Sequence, residues 1–177
     1  VLYATDTVSV PFLGPGLDAT FTYDEDGYNV EFDYPSDWYV EGDYGDFYVG
    51  TIRDIEDMDE PEAGEFYMNI FFLDKSWAEG DTPEETLEEM LVWIEEDGEL
   101  EVSSIKSTKV GGKDAAFITL SGESSDFDAN IDGMVVIWEQ DENYFGQALG
   151  FTSEASFSKY KGTMQAILDS IEADIDY

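Results

Sequence analysis

Histidine and cysteine are both absent from the 177 residues, and cations are scarce: Lys and Arg total 7 against 43 Asp and Glu, a formal net charge of −36. Without His or Cys there is no Ser-His-Asp or Cys-His relay and no disulfide framework. The usual protein ligands of zinc, haem iron and iron–sulfur clusters are missing as well. So few cations cannot neutralise a run of phosphates, which excludes nucleic acid and an anionic membrane surface as partners. No apolar run approaches the roughly 20 residues that span a bilayer, because Asp, Glu or Gly interrupts every few positions. The sequence opens Val1-Leu2-Tyr3 rather than with Met. This reads as the trace of a removed signal peptide, so the expected location is extracellular or on the cell surface.

What is present can build a core. Hydrophobic residues make up 42% and aromatic residues 15% of the chain, well above the composition of a disordered segment. A surface this acidic repels itself at low ionic strength. Molar salt or bound divalent cations relieve the repulsion, so the expected protein is salt-adapted. The charge is uneven. Residues 24–62 hold fifteen carboxylates against Arg53, whereas residues 101–122 hold Lys106, Lys109 and Lys113 against Glu101 and Asp114. The second stretch reads as a less acidic hairpin or a small docking patch.

Residues 1–16 form an N-terminal arm and residues 17–177 a single domain. In the arm Val8, Val10 and Phe12 alternate onto one face, Pro11 favours a sheet edge, and Gly14-Pro15-Gly16 breaks the chain. Asp6 is the arm's only charge, so this apolar segment needs cover. It can lie on its own sheet, or it can add as a strand to a neighbour with Val8, Val10 and Phe12 in pockets. Strand donation is head-to-tail and builds a filament unless the rotation closes.

Hairpin signals flank Asp24-Glu25-Asp26-Gly27, with strands expected over 19–23 and 28–34. Further strands are expected over 47–53 and 65–74. A helix is expected over 83–97: Thr82 caps it, Pro83 fits its first position, Glu85 completes a capping box, and Leu87, Met90, Leu91 and Ile94 share a face. Strands over 102–110, 113–121, 134–140 and 144–152 follow, then a helix over 157–171 carrying Ile167, Leu168 and Ile171. Strands in runs with helices set apart define an α+β fold, an antiparallel sheet with two main helices packed on it.

The order of several local motifs resembles the PsbP/Mog1-like superfamily, its secreted prokaryotic PsbP-related branch in particular. The motifs are Gly27-Tyr28 entering a strand that ends Asp33-Tyr34-Pro35-Ser36-Asp37-Trp38, the helix at 83–97, Val110-Gly111-Gly112-Lys113-Asp114-Ala115-Ala116, and the closing Tyr160 to Ile167-Leu168-Asp169-Ser170-Ile171. The resemblance spans about residues 20–173. It implies an α-β-α sandwich and a non-enzymatic role, as in extrinsic photosystem proteins, a regulator of a nuclear-transport GTPase, and secreted or lipid-anchored prokaryotic proteins. The photosystem branch's basic docking residues have no match here.

Four residues are the candidate metal ligands: Asp126, Asp128, Asn130 and Asp132. With Gly133 and Glu139 they satisfy the pattern of an EF-hand loop. No helix signal precedes Asp128, however, and a strand after Gly133 would carry Glu139 about 20 Å away, far beyond a coordination shell. A looser Ca²⁺ site or a solvated loop are the two remaining readings. No cofactor is required, and Ca²⁺ is the one candidate ion. The densest acidic run, residues 54–62, offers charge without evident geometry. Trp38, Tyr39, Tyr44, Phe47 and Tyr48 set aromatics among carboxylates, a mixture that suits either core packing or sugar stacking. The functional expectation is a non-enzymatic secreted or cell-surface binding and assembly module, self-assembling through its arm or binding another surface protein. The alternatives are a hydrolase using carboxylates alone and a carbohydrate-binding module.

Overall fold

Period-two alternation generates the whole architecture. In the computed structural model, which describes residues 16–53, 61–96 and 98–176, alternate side chains fill both faces of one large antiparallel sheet. The arm residues Val8, Val10 and Phe12 and most of the 54–62 run lie outside the described residues. The chain enters through β1 (Ala19–Glu25) and β2 (Tyr28–Tyr34), the expected hairpin. It continues through β3 (Tyr39–Asp43), β4 (Asp46–Gly50) and β5 (Phe66–Asp74) to α1 (Pro83–Glu96). Then come β6 (Gly98–Val102), β7 (Lys106–Val110), β8 (Lys113–Ser124), β9 (Ala129–Glu139) and β10 (Tyr144–Ser153). A 3-10 turn at Phe157–Lys159, α2 (Lys161–Asp169) and β11 (Glu172–Ile175) close the fold.

The large sheet runs β3-β4-β5-β10-β9-β8-β6, with β7 also paired to β8. One face carries Tyr67, Ile118, Leu120, Ile131, Val135, Ile137, Phe145 and Phe151, and α1 packs here through buried Leu87. The opposite face carries Phe47, Met68, Ile70, Phe72, Val136 and Trp138. Over it lie α2, through Met164, Ile167 and Leu168, and the small sheet β1-β2-β11, through Val30 and Phe32. The fold is therefore α+β, two helices on an antiparallel sheet, as the sequence predicts.

Four local expectations need correction. The strand over 102–110 is two strands: β6 pairs with the far half of β8 and β7 with its near half. At the break the Ser103 hydroxyl, rather than a main-chain carbonyl, accepts from Thr119 N at 2.9 Å, and the ladder slips. The helix over 157–171 is a 3-10 turn and a shorter α2, because Tyr160 sits at φ −107 between them. Ser170 then ends α2. Its hydroxyl donates to Ile167 O at 2.7 Å and accepts from Asp33 N at 2.9 Å, which ties the helix to β2. Ile171 is thus buried but outside the helix. The capping box is offset by one residue: Glu85 N donates to Thr82 Oγ1, but the Glu85 carboxylate accepts from Asp81 N. Finally, Leu91 and Ile94 are half-buried rather than buried, and Ile94 borders a cavity at that end of α1.

The two sheets are also tied by a polar thread. Buried Trp138 donates through Nε1 to Gln140 Oε1 at 3.1 Å, and Gln140 Nε2 donates to Ala173 O in β11 at 2.7 Å. A buried indole N–H needs such a partner, and here the partner anchors the last strand.

Candidate functional site

α1 lies mainly over β6, β8 and β9, so the same face is more open toward β10, β5 and β4. There it presents half-buried Leu149, Gln147, Phe71, Asn69 and Tyr48. The Asn69 amide donates to the Asp46 carboxylate and to Phe47 O, and the Tyr48 hydroxyl donates to Asp46 Oδ2 at 3.2 Å. Three aromatic rings stand out beside this face: Tyr39 is 42%, Tyr44 61% and Trp77 81% exposed.

Local chemistry explains their projection. β3 and β4 are joined by Tyr44 and Gly45, both at positive φ (45 and 81), the two-residue turn that matches strand twist. Tyr44 therefore sits at the hairpin tip. Gly45 is required because a Cβ there would come within 2.4 Å of the Tyr28 ring. At the end of β5, Asp74 Oδ1 accepts from Ser76 N at 2.7 Å and Asp74 O accepts from Trp77 N at 2.9 Å, a tight Asx turn that turns Trp77 outward. A groove of about 250 Å³ lies here, lined by Tyr28, Phe71, Leu73, Asp74, Trp77 and Tyr144.

The field at this end is negative. The Tyr44 phenol is held above its ordinary pKa by Asp26 first, then by Tyr23 and Asp43. Hydrogen bonds from Ser76 hold the Asp74 carboxyl below its ordinary value. Among the described residues there are two ion pairs: Lys75, in the turn that carries Trp77, with Glu139 at 3.3 Å, and Lys109 with Asp114 at 2.5 Å, away from this end.

The sequence-predicted metal ligands do not converge. Asp126 borders the cavity under α1, whereas β9 carries Asp132 toward the opposite, α2 side. Asp128 lies in the connecting turn at φ 45, and Asn130 is already in β9. Asp132 Oδ2 accepts from Phe157 N at 2.8 Å, so its carboxylate satisfies the start of the 3-10 turn. The Asn130 main chain is held by Glu154: Asn130 N donates to the Glu154 carboxylate at 3.3 Å, and Asn130 O accepts from Glu154 N at 2.9 Å. Glu139 ends β9 and pairs with Lys75. Among the described residues no three acidic side chains group as a metal ion requires. Asp132→Ala should therefore lower stability by about 1 kcal/mol, with the same loss in Ca²⁺ and in chelator. A melting difference that appears only with Ca²⁺ present would restore the metal reading.

The aromatic cluster read from sequence is split. Phe47 is buried in the core, and Trp38 packs on it against Phe66 and Tyr160, while Tyr39 and Tyr44 face solvent. Sequence reasoning missed Trp77. Its only local signal is Asp74-Lys75-Ser76, a turn chemistry that does not say which way the next ring points. The cavity under α1, about 210 Å³, is bordered by Met90, Ile94, Leu120, Phe127, Val135 and Leu149, with Asp126 as its one carboxylate among the described residues.

No family model and no curated protein matches the sequence. Solved structures match by shape. A protein from Bacteroides thetaiotaomicron superposes with TM-score 0.55 at 16% identity over 89% of this chain; this chain spans about half of that one, 48%. The yeast (Saccharomyces cerevisiae) Ran-binding protein Mog1p matches with TM-score 0.54 at 8% identity, over 81% of this chain and 89% of its own. LpqN, involved in cell envelope biogenesis of Mycobacterium tuberculosis, matches with TM-score 0.51 at 13% identity, over 90% and 91%. Identities this low speak to fold alone. The chain has the PsbP/Mog1-like fold.

Proposed function

We propose that this protein is a non-enzymatic binding and assembly module of the extracellular space or cell surface, which associates with further copies of itself in high salt. The observation that carries the reading is the exposure of three aromatic rings around the β3–β4–β5 part of the large sheet: Tyr44 and Trp77 toward the Phe71 end of these strands, and Tyr39 at the other end of β3. On so acidic a body these rings, with Val92 on α1, are the large exposed apolar groups among the described residues, and contact would cover them. Catalysis finds less support. A carboxylate-only hydrolase needs two carboxyl groups facing each other across a substrate. Among the described residues, Asp126 is the one carboxylate on the α1 cavity and Asp74 the one on the aromatic groove. The same rings would stack on a neutral glycan, but self-association also accounts for the apolar arm. In this reading residues 1–13 reach a neighbour and add there as a strand, with Val8, Val10 and Phe12 filling its pockets and Gly14-Pro15-Gly16 as the hinge.

Light scattering and electron microscopy of the full chain in molar salt test this. Open-ended assemblies are expected. Deleting residues 1–13, or making Tyr39→Ala, Tyr44→Ala and Trp77→Ala together, should raise the concentration needed for assembly about tenfold or more. A truncated chain that assembles like the parent would remove the arm from the account. Unchanged assembly of the triple variant would remove the aromatic end.

A further inference from the structure

The two ends of the large sheet differ in charge: among the described residues, one carries carboxylates without lysines, and the other gathers lysines among carboxylates. At one end β3 holds Glu41 and Asp43, and the hairpin tips nearby hold Asp46, Asp24, Glu25 and Asp26. At the other end the β7–β8 hairpin holds Lys106, Lys109 and Lys113, and the start of α2 adds Lys161. Thus four of the chain's seven cations gather where the sheet stops. Lys106 Nζ lies 6.0 Å and Lys161 Nζ 5.7 Å from the centroid of one half-buried ring, Phe117. Carboxylates share that end: Asp114 pairs with Lys109, Glu84 accepts from Ser107, Asp169 accepts from Gly111 N and Gln165, and Glu101 lies in the neighbouring β6. The two ends stand six strand spacings apart, about 29 Å, so neither neutralises the other within one molecule.

Both ends are strand edges. No described strand pairs with the outer side of β3 or of β7. In β7, the Val110–Lys113 pair closes the turn at Gly111 and Gly112. Alternation then turns the main-chain groups of Ser107 and Lys109 outward. The Lys109 carbonyl indeed faces α2, where it accepts a long 3.4 Å contact from Gln165 Nε2. Charged edges ordinarily block edge-to-edge pairing. Here like edges repel: two β3 edges bring carboxylates together, and two β7 edges bring lysines together. The unlike pair is attractive, and aromatic faces beside carboxylates are what lysines meet best.

We propose that the β7 edge of one copy docks on the β3 edge of the next, Lys106 and Lys109 meeting Glu41, Asp43 and the exposed tyrosines, so that the copies associate head-to-tail. This rests on the self-assembly reading above and names its body-to-body surface. The same two patches on every copy give a heterologous contact, which propagates into a filament unless its rotation closes.

A charge swap tests it. The full-length chain is compared with Lys106→Glu plus Lys109→Glu and with Glu41→Lys plus Asp43→Lys. All substituted positions are exposed, and circular dichroism melts check that both variants fold. Each variant alone should need about tenfold or more higher concentration to assemble, because both of its edges now carry one sign. An equimolar mixture of the two should assemble like the parent, as alternating copies restore every unlike pair. If the parent assembles and either variant does so equally well, or the mixture fails to recover, the edge assignment is overturned while self-assembly stands. If the parent itself stays monomeric, the self-assembly reading fails and the edge assignment with it.

Discussion

Raising NaCl from about 10 mM to about 1 M should raise the melting temperature by about 15 °C. The cause is the net charge of −36. A chain of this length folds to a radius of gyration of about 16 Å. At the lower salt the Debye length is about 30 Å, so every carboxylate feels all the others; at the higher it is about 3 Å, and each feels only its contacts. A shift of this size corresponds to roughly 5 kcal/mol for a domain this large. One pair shows the effect locally. The Glu89 carboxyl is held above its ordinary pKa by its hydrogen bond to Glu79 and by the Glu79 charge, with a smaller push from Glu88. A carboxyl raised in the folded state contributes stability below its unfolded pKa and loses it as pH rises through the folded value. At neutral pH this pair therefore opposes folding, and mild acid should act like salt on it. Differential scanning calorimetry across salt checks the prediction. A melting temperature that stays within a few degrees over this range would contradict it.

The second large effect is expected at Gly146. It lies opposite Trp138 in the β9–β10 ladder, and the indole fills the space where its side chain would be. A Cβ at Gly146 would come within 2.0 Å of Trp138 Cε2 and Cζ2. The ring cannot step aside freely. Phe72 packs edge-on against it at 6.2 Å, and its Nε1–H is committed to Gln140, which in turn holds β11. Gly146→Ala should cost about 3 kcal/mol or more, a fall of roughly 6–12 °C in melting temperature. Adding Trp138→Leu should recover part of that loss, since the smaller side chain vacates the space. Fully additive losses in the double variant would show that the two positions do not compete for it.

Legibility in the sequence followed the range of the physics involved. α1 is written in local signals: Thr82, Pro83 and Glu85 set its start, and Leu87 with its i+3 and i+4 partners sets its buried side. The hairpins at Gly27 and at Gly111-Gly112 are equally local. β11 was invisible because Glu-Ala-Asp-Ile is short and acidic, and becomes a strand only because β2 is there to pair with it. The splitting of β6 from β7 depends on one hydroxyl of Ser103 meeting Thr119, a contact 16 residues away. The candidate metal ligands illustrate the converse. Asp128, Asn130 and Asp132 have the right spacing for a loop, but the turn ends before Ala129, and the strand then sends Asp132 away from Asp126. At the aromatic end, the sequence groups Tyr39 and Tyr44 with three neighbours, two of which, Trp38 and Phe47, belong to the core. Which rings face solvent is decided by the pleat of β3 and β4 and by two turns. The lysine-rich stretch was visible as charge. Its position at the opposite end of the sheet from Glu41 and Asp43 is a property of strand order alone.

Sedimentation of the intact chain in about 2 M NaCl, over a hundredfold range of concentration, tests self-assembly most directly. Such salt screens net repulsion to a few ångströms and leaves contact pairs and apolar burial in force. The expected result is a weight-average mass that starts near 19.9 kDa and climbs past the dimer without reaching a plateau. A mass that stays at 19.9 kDa throughout would contradict the account.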